Sequence, residues 1–113
     1  MEPAILNFDA QVRGNTFDEL TVQIKENGVA VDLTGCNVRM QIKDEANNNI
    51  SLKILTEVDG IDILPAGNLS IKKFRIDFKS GKHVYDLVVK FPTGDVVTYF
   101  EGKFPVKQNV SDI

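Results

Sequence analysis

Residues 84–106 read VYDLVVKFPTGDVVTYFEGKFPV, two alternating runs of apolar and polar residues folded about Pro92-Thr93-Gly94-Asp95. Successive side chains in a strand point to opposite faces, so a period of two sends one set to a core and the other outward. Tyr85, Leu87, Val89 and Phe91 form the apolar set of the first run. Val88 adds an apolar residue to the other set, as in a strand covered on both faces. Pro92 presets φ for the first turn position, and Gly94 supplies the permissive one. On the return, Val97, Tyr99 and Glu101 share one side, with Val96, Thr98 and Phe100 on the other. Gly102 then interrupts the run, which marks a bulge or a close approach of another backbone. This stretch is a long hairpin.

The same period extends upstream. Leu6, Phe8, Ala10 and Val12 alternate with Asn7, Asp9, Gln11 and Arg13; Leu20, Val22 and Ile24 follow, and then Asn27-Gly28, a tight-turn pair. Cys36, Val38, Met40 and Ile42 point one way, against Asn37, Arg39, Gln41 and Lys43. Residues 44–49 read as an exposed loop, and shorter runs start at Ile50, Ile61 and Leu69. Between Ile71 and Phe74 the apolar parity shifts by one, which places a bulge or bend at Lys72-Lys73. Roughly eight or nine short strands separated by Gly, Asn or Pro predict a sandwich or small barrel, and no segment carries a helical stripe. Residues 1–113 are read as one all-β domain.

Bulk composition narrows the role. A chain of 113 residues with 42% hydrophobic and 26% charged content suits a single core and excludes disorder as the main state. A net charge of -3 provides no field that draws nucleic acid or anionic lipid. No apolar run approaches the roughly 18 residues that span a membrane, and the N-terminus lacks the basic-then-apolar order of a signal peptide. The single cysteine, Cys36, has no disulfide partner within the chain and fits folding in a reducing cytoplasm. By parity it is a small buried hydrophobe.

Chemistry-bearing constellations are scarce. His83, the only histidine, sits beside Gly81 and reads as a solvated turn residue with no nucleophile attached. One His and one Cys so far apart do not make zinc spacing, and the aspartates lack calcium-loop spacing. No metal, cofactor or catalytic residue is assigned. In IKKFRIDFKSGKH, residues 71–83, Lys73, Arg75 and Lys79 form a candidate basic surface stripe, read chiefly as a solvated strand face.

Tyr85, at the start of a late strand, suits the tyrosine corner of immunoglobulin-like sandwiches, although Leu87 stands where antibody domains place a cysteine. The expected fold is therefore an immunoglobulin-like antiparallel β-sandwich of Greek-key type, without a disulfide. Gly94 and Gly102 take structural roles beside Tyr85.

Arg13-Gly14-Asn15-Thr16-Phe17, Val31-Asp32-Leu33-Thr34-Gly35 and the following CNVRMQIKDE resemble the first half of small structural proteins from tailed bacteriophages and prophages. Gly81-Lys82-His83-Val84-Tyr85-Asp86-Leu87, Pro92-Thr93-Gly94-Asp95, Thr98 and Glu101-Gly102-Lys103-Phe104 resemble their second half, with Val110-Ser111 near its end. The group is the one related to the N-terminal domain of baseplate upper proteins. The resemblance implies a non-enzymatic virion component of baseplate, tail or neck. It would assemble with other virion proteins or with copies of itself as a homo-oligomer, formed in the host cytoplasm. Val97, Tyr99 and Glu101 are the candidate assembly contact, with burial in the core as their competing reading. The alternative role is a carbohydrate- or cell-surface-binding module carried by loops such as residues 44–49.

Overall fold

A computed structural model of the chain describes residues 3–47 and 50–109. Every regular element among these residues is a strand. The N-terminal part holds β1 (Ala4–Ile5), β2 (Gln11–Val12), β3 (Thr16–Phe17), β4 (Leu20–Gln23), β5 (Lys25–Glu26) and β6 (Val29–Ala30). The middle holds β7 (Asn37–Asp44), β8 (Ser51–Thr56), β9 (Ile61–Ile63), β10 (Asn68–Ile71) and β11 (Phe74–Arg75). The C-terminal part holds β12 (His83–Lys90), β13 (Val96–Lys103) and β14 (Val106–Lys107). The short strands arise where turns and changes of partner cut a sequence-level run into pieces.

One five-stranded sheet runs in the order β1-β13-β12-β7-β8, and a three-stranded sheet in the order β4-β10-β9. Three strand pairs, β11 with β3, β14 with β2 and β5 with β6, complete the framework. The two larger sheets meet across one core. A void of about 10 Å³ between them is lined by Leu20, Val22 and Ile71 on one side and Tyr85, Leu87 and Phe100 on the other. The arrangement is all-β and consistent with a β-sandwich.

Alternation explains the core. Along β7, Val38, Met40 and Ile42 are buried, while Asn37 and Arg39 are exposed. Along β12, Tyr85, Leu87 and Val89 point inward in the same way. Rings of Phe8, Phe17, Tyr85 and Phe104 gather at one end of the core, with Phe8 within 5.5 Å of each of the other three centroids. Such pairs add about 0.5–1.5 kcal/mol each beyond their buried area.

The expectation of antiparallel pairing needs one amendment. The N-terminal segment runs parallel to the last third of the chain, as Ala4 pairs with Phe100 and Gln11 with Val106. Between these strands the ladder is carried by Leu6 N–H donating to Glu101 O, at 2.9 Å, and Phe8 N–H donating to Lys103 O, at 3.0 Å. The parity shift near Lys72-Lys73 is a change of partner: β10 pairs with β4 and β9, and β11 pairs with β3.

The 91–95 turn closes with Gly94 N–H donating to Phe91 O at 2.9 Å, and Gly94 takes φ 95. A three-residue loop with a left-handed glycine at its end suits the right-handed twist of the hairpin. Within the hairpin, Leu87 faces Phe100 and Val88 faces Thr98, so Tyr99 is an extra residue on β13. That bulge reverses the parity read from the sequence.

Candidate functional site

The reversal decides which face of β13 is outward. Val97 lies opposite the buried Val89 and packs against the core. Tyr99 is 6% exposed, and its hydroxyl donates to Glu26 Oε1 at 2.9 Å, joining β13 to β5. Burial, reinforced by the Glu26 carboxylate, pushes its phenol up to about 12. Glu101 pairs with Asp86 on the opposite, open face. The expected contact of Val97, Tyr99 and Glu101 is thus split: the first two belong to the interior, and only Glu101 is free to meet a partner.

The open face of the five-stranded sheet is built from the outward parity of β7, β12 and β13. Register places Lys90 between Asn37 and Val96, and Val88 between Arg39 and Thr98. Next, Asp86 lies between Gln41 and Glu101, and Val84 between Lys43 and Lys103. Val84, Asp86 and Val88 remain half-buried, and Val96 on this face is 61% exposed. Ile54 on β8 adds an apolar side chain 46% exposed. Valines, one acid pair and four cations thus share a surface with no described element over it.

Asp86 is the unusual member. It stands directly opposite Glu101, and like charges so placed repel. It forms no ion pair or side-chain hydrogen bond with any described residue. Burial pushes its carboxyl up, while Lys43 and Arg39 pull against the rise.

Two hollows indent the face. One, of about 540 Å³, includes Ile5, Gln41, Lys43, Asp86, Glu101 and Lys103 in its lining. The other, of about 450 Å³, lies at the Lys90 end and is bordered by Arg39, Glu57, Val58, Val88, Lys90 and Val96. Glu57 is held there by Asn37 Nδ2 at 2.5 Å and Val38 N at 3.0 Å. Burial opposes its charge, but those two donors outweigh it and keep the carboxyl below its ordinary value.

The remaining sequence candidates fall elsewhere. Lys73 is exposed between β10 and β11, Arg75 lies on β11 opposite Thr16, and Lys79 precedes β12. Lys79 is bound to Asp44 at 2.5 Å, so the three do not form one free basic stripe. Asp44 is itself the buried end of β7 and accepts a hydrogen bond from Ala46 N, rather than opening an exposed loop. The lowered Asp44 carboxyl follows first from the hydrogen bond with Lys79. Asn48 and Asn49 of that expected loop lie outside the described residues.

Tyr85 is not a local corner. Its hydroxyl donates to Leu6 O at 2.6 Å, across 79 residues, and burial pushes the phenol up to about 12. Gly102 is the close backbone approach that its position implied, since Leu6 and Asn7 pass directly over it. Cys36 is buried, and burial first, then Asp32, raises its thiol, as suits a small hydrophobe rather than a nucleophile.

His83 is not a solvated turn residue; it is 1% exposed. Its Nε2–H donates to Lys79 O at 2.7 Å, while Nδ1 has no hydrogen-bond partner among the described residues. Parity carried the signal, since His83 stands two residues before Tyr85 on the inward series of β12. The neighbouring glycine masked it. Among the described residues no group of three or more His, Cys, Asp or Glu gathers to hold a metal ion.

A scan against protein-family models found no match to this chain, and neither did a search of curated proteins.

Proposed function

We propose that this chain is a non-enzymatic structural protein of a tailed-phage or prophage particle. It acts by protein–protein assembly through the open face of the five-stranded sheet. The observation that carries the reading is that face itself: half-buried Val84 and Val88, exposed Val96 and Ile54, and a central carboxylate, Asp86, with no ion-pair partner among the described residues. Half-burial of this kind is completed when a second surface excludes the remaining water. The sequence resemblance to baseplate-related proteins supports the particle as its setting.

An immunoglobulin-like Greek key is part of the proposal. Its support is that β7, β12 and β13 take the places of strands C, F and G, while β4, β10 and β9 take those of B, E and D. The alternative reading as a glycan-binding module has less to stand on. The chain has no tryptophan, and both tyrosines are buried and hydrogen-bonded, which leaves few stacking platforms.

Mass spectrometry of density-purified particles from the source cells tests the setting, and absence of the chain from them overturns it. Substituting Val88→Glu tests the face. Loss of assembly with an unchanged melting temperature supports the reading. Selective binding on a glycan array by a chain that never assembles refutes it.

A further inference from the structure

Charge on the open face follows an order along the strands. The register of β7, β12 and β13 lays it out in four rows. The first row carries two cations, Lys43 and Lys103, on either side of Val84. The second carries two acids, Asp86 and Glu101, beside Gln41. The third holds Arg39 beside Val88, and the fourth holds Lys90 between Asn37 and Val96. Glu57, bound to Asn37, borders the fourth row from the β8 side. None of the four cations forms an ion pair with a described residue, and neither do Asp86 and Glu101. The face therefore presents both signs of charge, separated by rows and unpaired within its own sheet.

Two copies of such a face stack with their strands within about 30° of each other. A two-fold axis lying in the contact plane runs either along the strands or across them. Along the strands, every row meets its own copy, so Asp86 faces Asp86 and Lys43 faces Lys103. Like charges so juxtaposed cost several kcal/mol. Across the strands, between the second and third rows, the order reverses. The second row of one copy then covers the third row of the other, and the first covers the fourth. Asp86 and Glu101 come over the end that carries Arg39 and Lys90, and Lys43 comes over Glu57. Apolar residues match in the same step. Ile5, which pairs with Glu101 and is 65% exposed, comes over Val96, which is 61% exposed. The hollow beside Asp86 and Glu101 closes over the hollow beside Arg39 and Lys90.

We propose that two copies of this chain associate face to face through the open side of the five-stranded sheet, with β12 antiparallel to its counterpart and the Asp86–Glu101 row of each copy over the Arg39 and Lys90 rows of the other. Each contact is made twice about the axis, and an isologous contact of this kind closes at the dimer. Val84 and Val88 lose their remaining water, and Asp86 gains the countercharge that its own sheet lacks. The inference rests on the assembly reading above and names its partner and its symmetry.

Sedimentation velocity over a concentration series tests it with the full chain, Arg39→Glu/Lys90→Glu and Asp86→Lys/Glu101→Lys, each variant checked by a thermal melt. The full chain is expected to form a dimer and nothing larger. Either variant alone is expected to dimerise at least about tenfold more weakly, because like charges then meet across the axis. A one-to-one mixture of the two variants is expected to recover the dimer, since every cross pair is again of opposite sign. Should the melt show Asp86→Lys/Glu101→Lys unfolded, Glu101→Lys alone takes its place, with the same loss and recovery expected in smaller measure. Either variant dimerising alone at full strength, or a mixture no tighter than its components, overturns the inference. If Val88→Glu still blocks self-association in that case, the open-face reading survives. A full chain monomeric at every concentration overturns the two-fold contact while leaving assembly with another virion protein to the particle test.

Discussion

Gly102 lies against the Leu6 carbonyl and has the least room for a side chain of any described glycine. A Cβ on Gly102 would overlap the Leu6 carbonyl oxygen and lie 2.7 Å from its carbon. Gly102→Ala is therefore expected to push the N-terminal segment off β13, at a cost of about 1–3 kcal/mol or more. Urea denaturation measures the loss. Hydrogen exchange should speed at the Leu6 and Phe8 amides, which donate to Glu101 and Lys103.

The chain's two tyrosines are both held protonated by the fold. Burial raises Tyr85 and Tyr99 to about 12, against an ordinary value of about 10. The unfolded chain therefore releases these protons first. The stabilisation is complete below about pH 10 and is lost as pH rises toward 12. Absorbance at tyrosinate wavelengths should stay flat through pH 10 in the folded protein and rise there in denaturant. A native titration centred near 10 for either ring contradicts its placement.

Tyr99 and Glu101, two residues apart, should respond in opposite ways to the same change. Tyr99→Lys removes a buried ring and takes an ammonium out of water, which the nearby Glu26 carboxylate offsets only in part, and is expected to cost about 3 kcal/mol or more, enough to unfold a marginal domain. Glu101→Lys, on the open face, should alter stability by less than about 0.5 kcal/mol. Thermal melts of the two variants check the parity reversal at the bulge.

Asp86→Asn is expected to stabilise the isolated chain near neutral pH. A carboxyl whose folded value is raised favours the fold in its protonated state, so that support is lost as pH rises through the folded value. Removing the charge lifts the penalty, by under about 1 kcal/mol because the site is half open to water. A melting temperature that falls instead would show that Lys43 and Arg39 more than offset the burial.

His83→Ala removes the ring that fixes the approach to β12, with its hydrogen bond to Lys79 O and its packing on Phe78 at 5.9 Å. The expected cost is about 2–4 kcal/mol, in the range of a large-to-small core change. Exchange should rise at the Gly81 and Val106 amides, which bond each other's carbonyls. A solvated turn residue would show neither effect.

The long strands were legible in the sequence because period two survives in β7 and β12, whose inward residues are all buried. The turn at Gly94 and the crowding at Gly102 were legible because a glycine in those settings has few other reasons to be there. The candidate face was not legible as such. Val97 and Glu101 look equivalent until Tyr99 is known to be an inserted residue, and no local rule announces a bulge in the middle of a good strand. Asp86 likewise looks like any polar strand residue until the register sets it against Glu101.

Local alternation by itself determined that this chain makes strands, where most of them turn, and which side of each continuous run is greasy. That follows from backbone geometry, which sends neighbouring side chains to opposite sides whatever the rest of the molecule does. Only the tertiary structure decided which greasy sides meet and which remain open. The parallel run of the N-terminus along β13, the inward turn of His83 and the uncovered face around Asp86 all depend on pairings between residues far apart in the chain. Such pairings are chosen by the packing of the whole core rather than by the residues beside them.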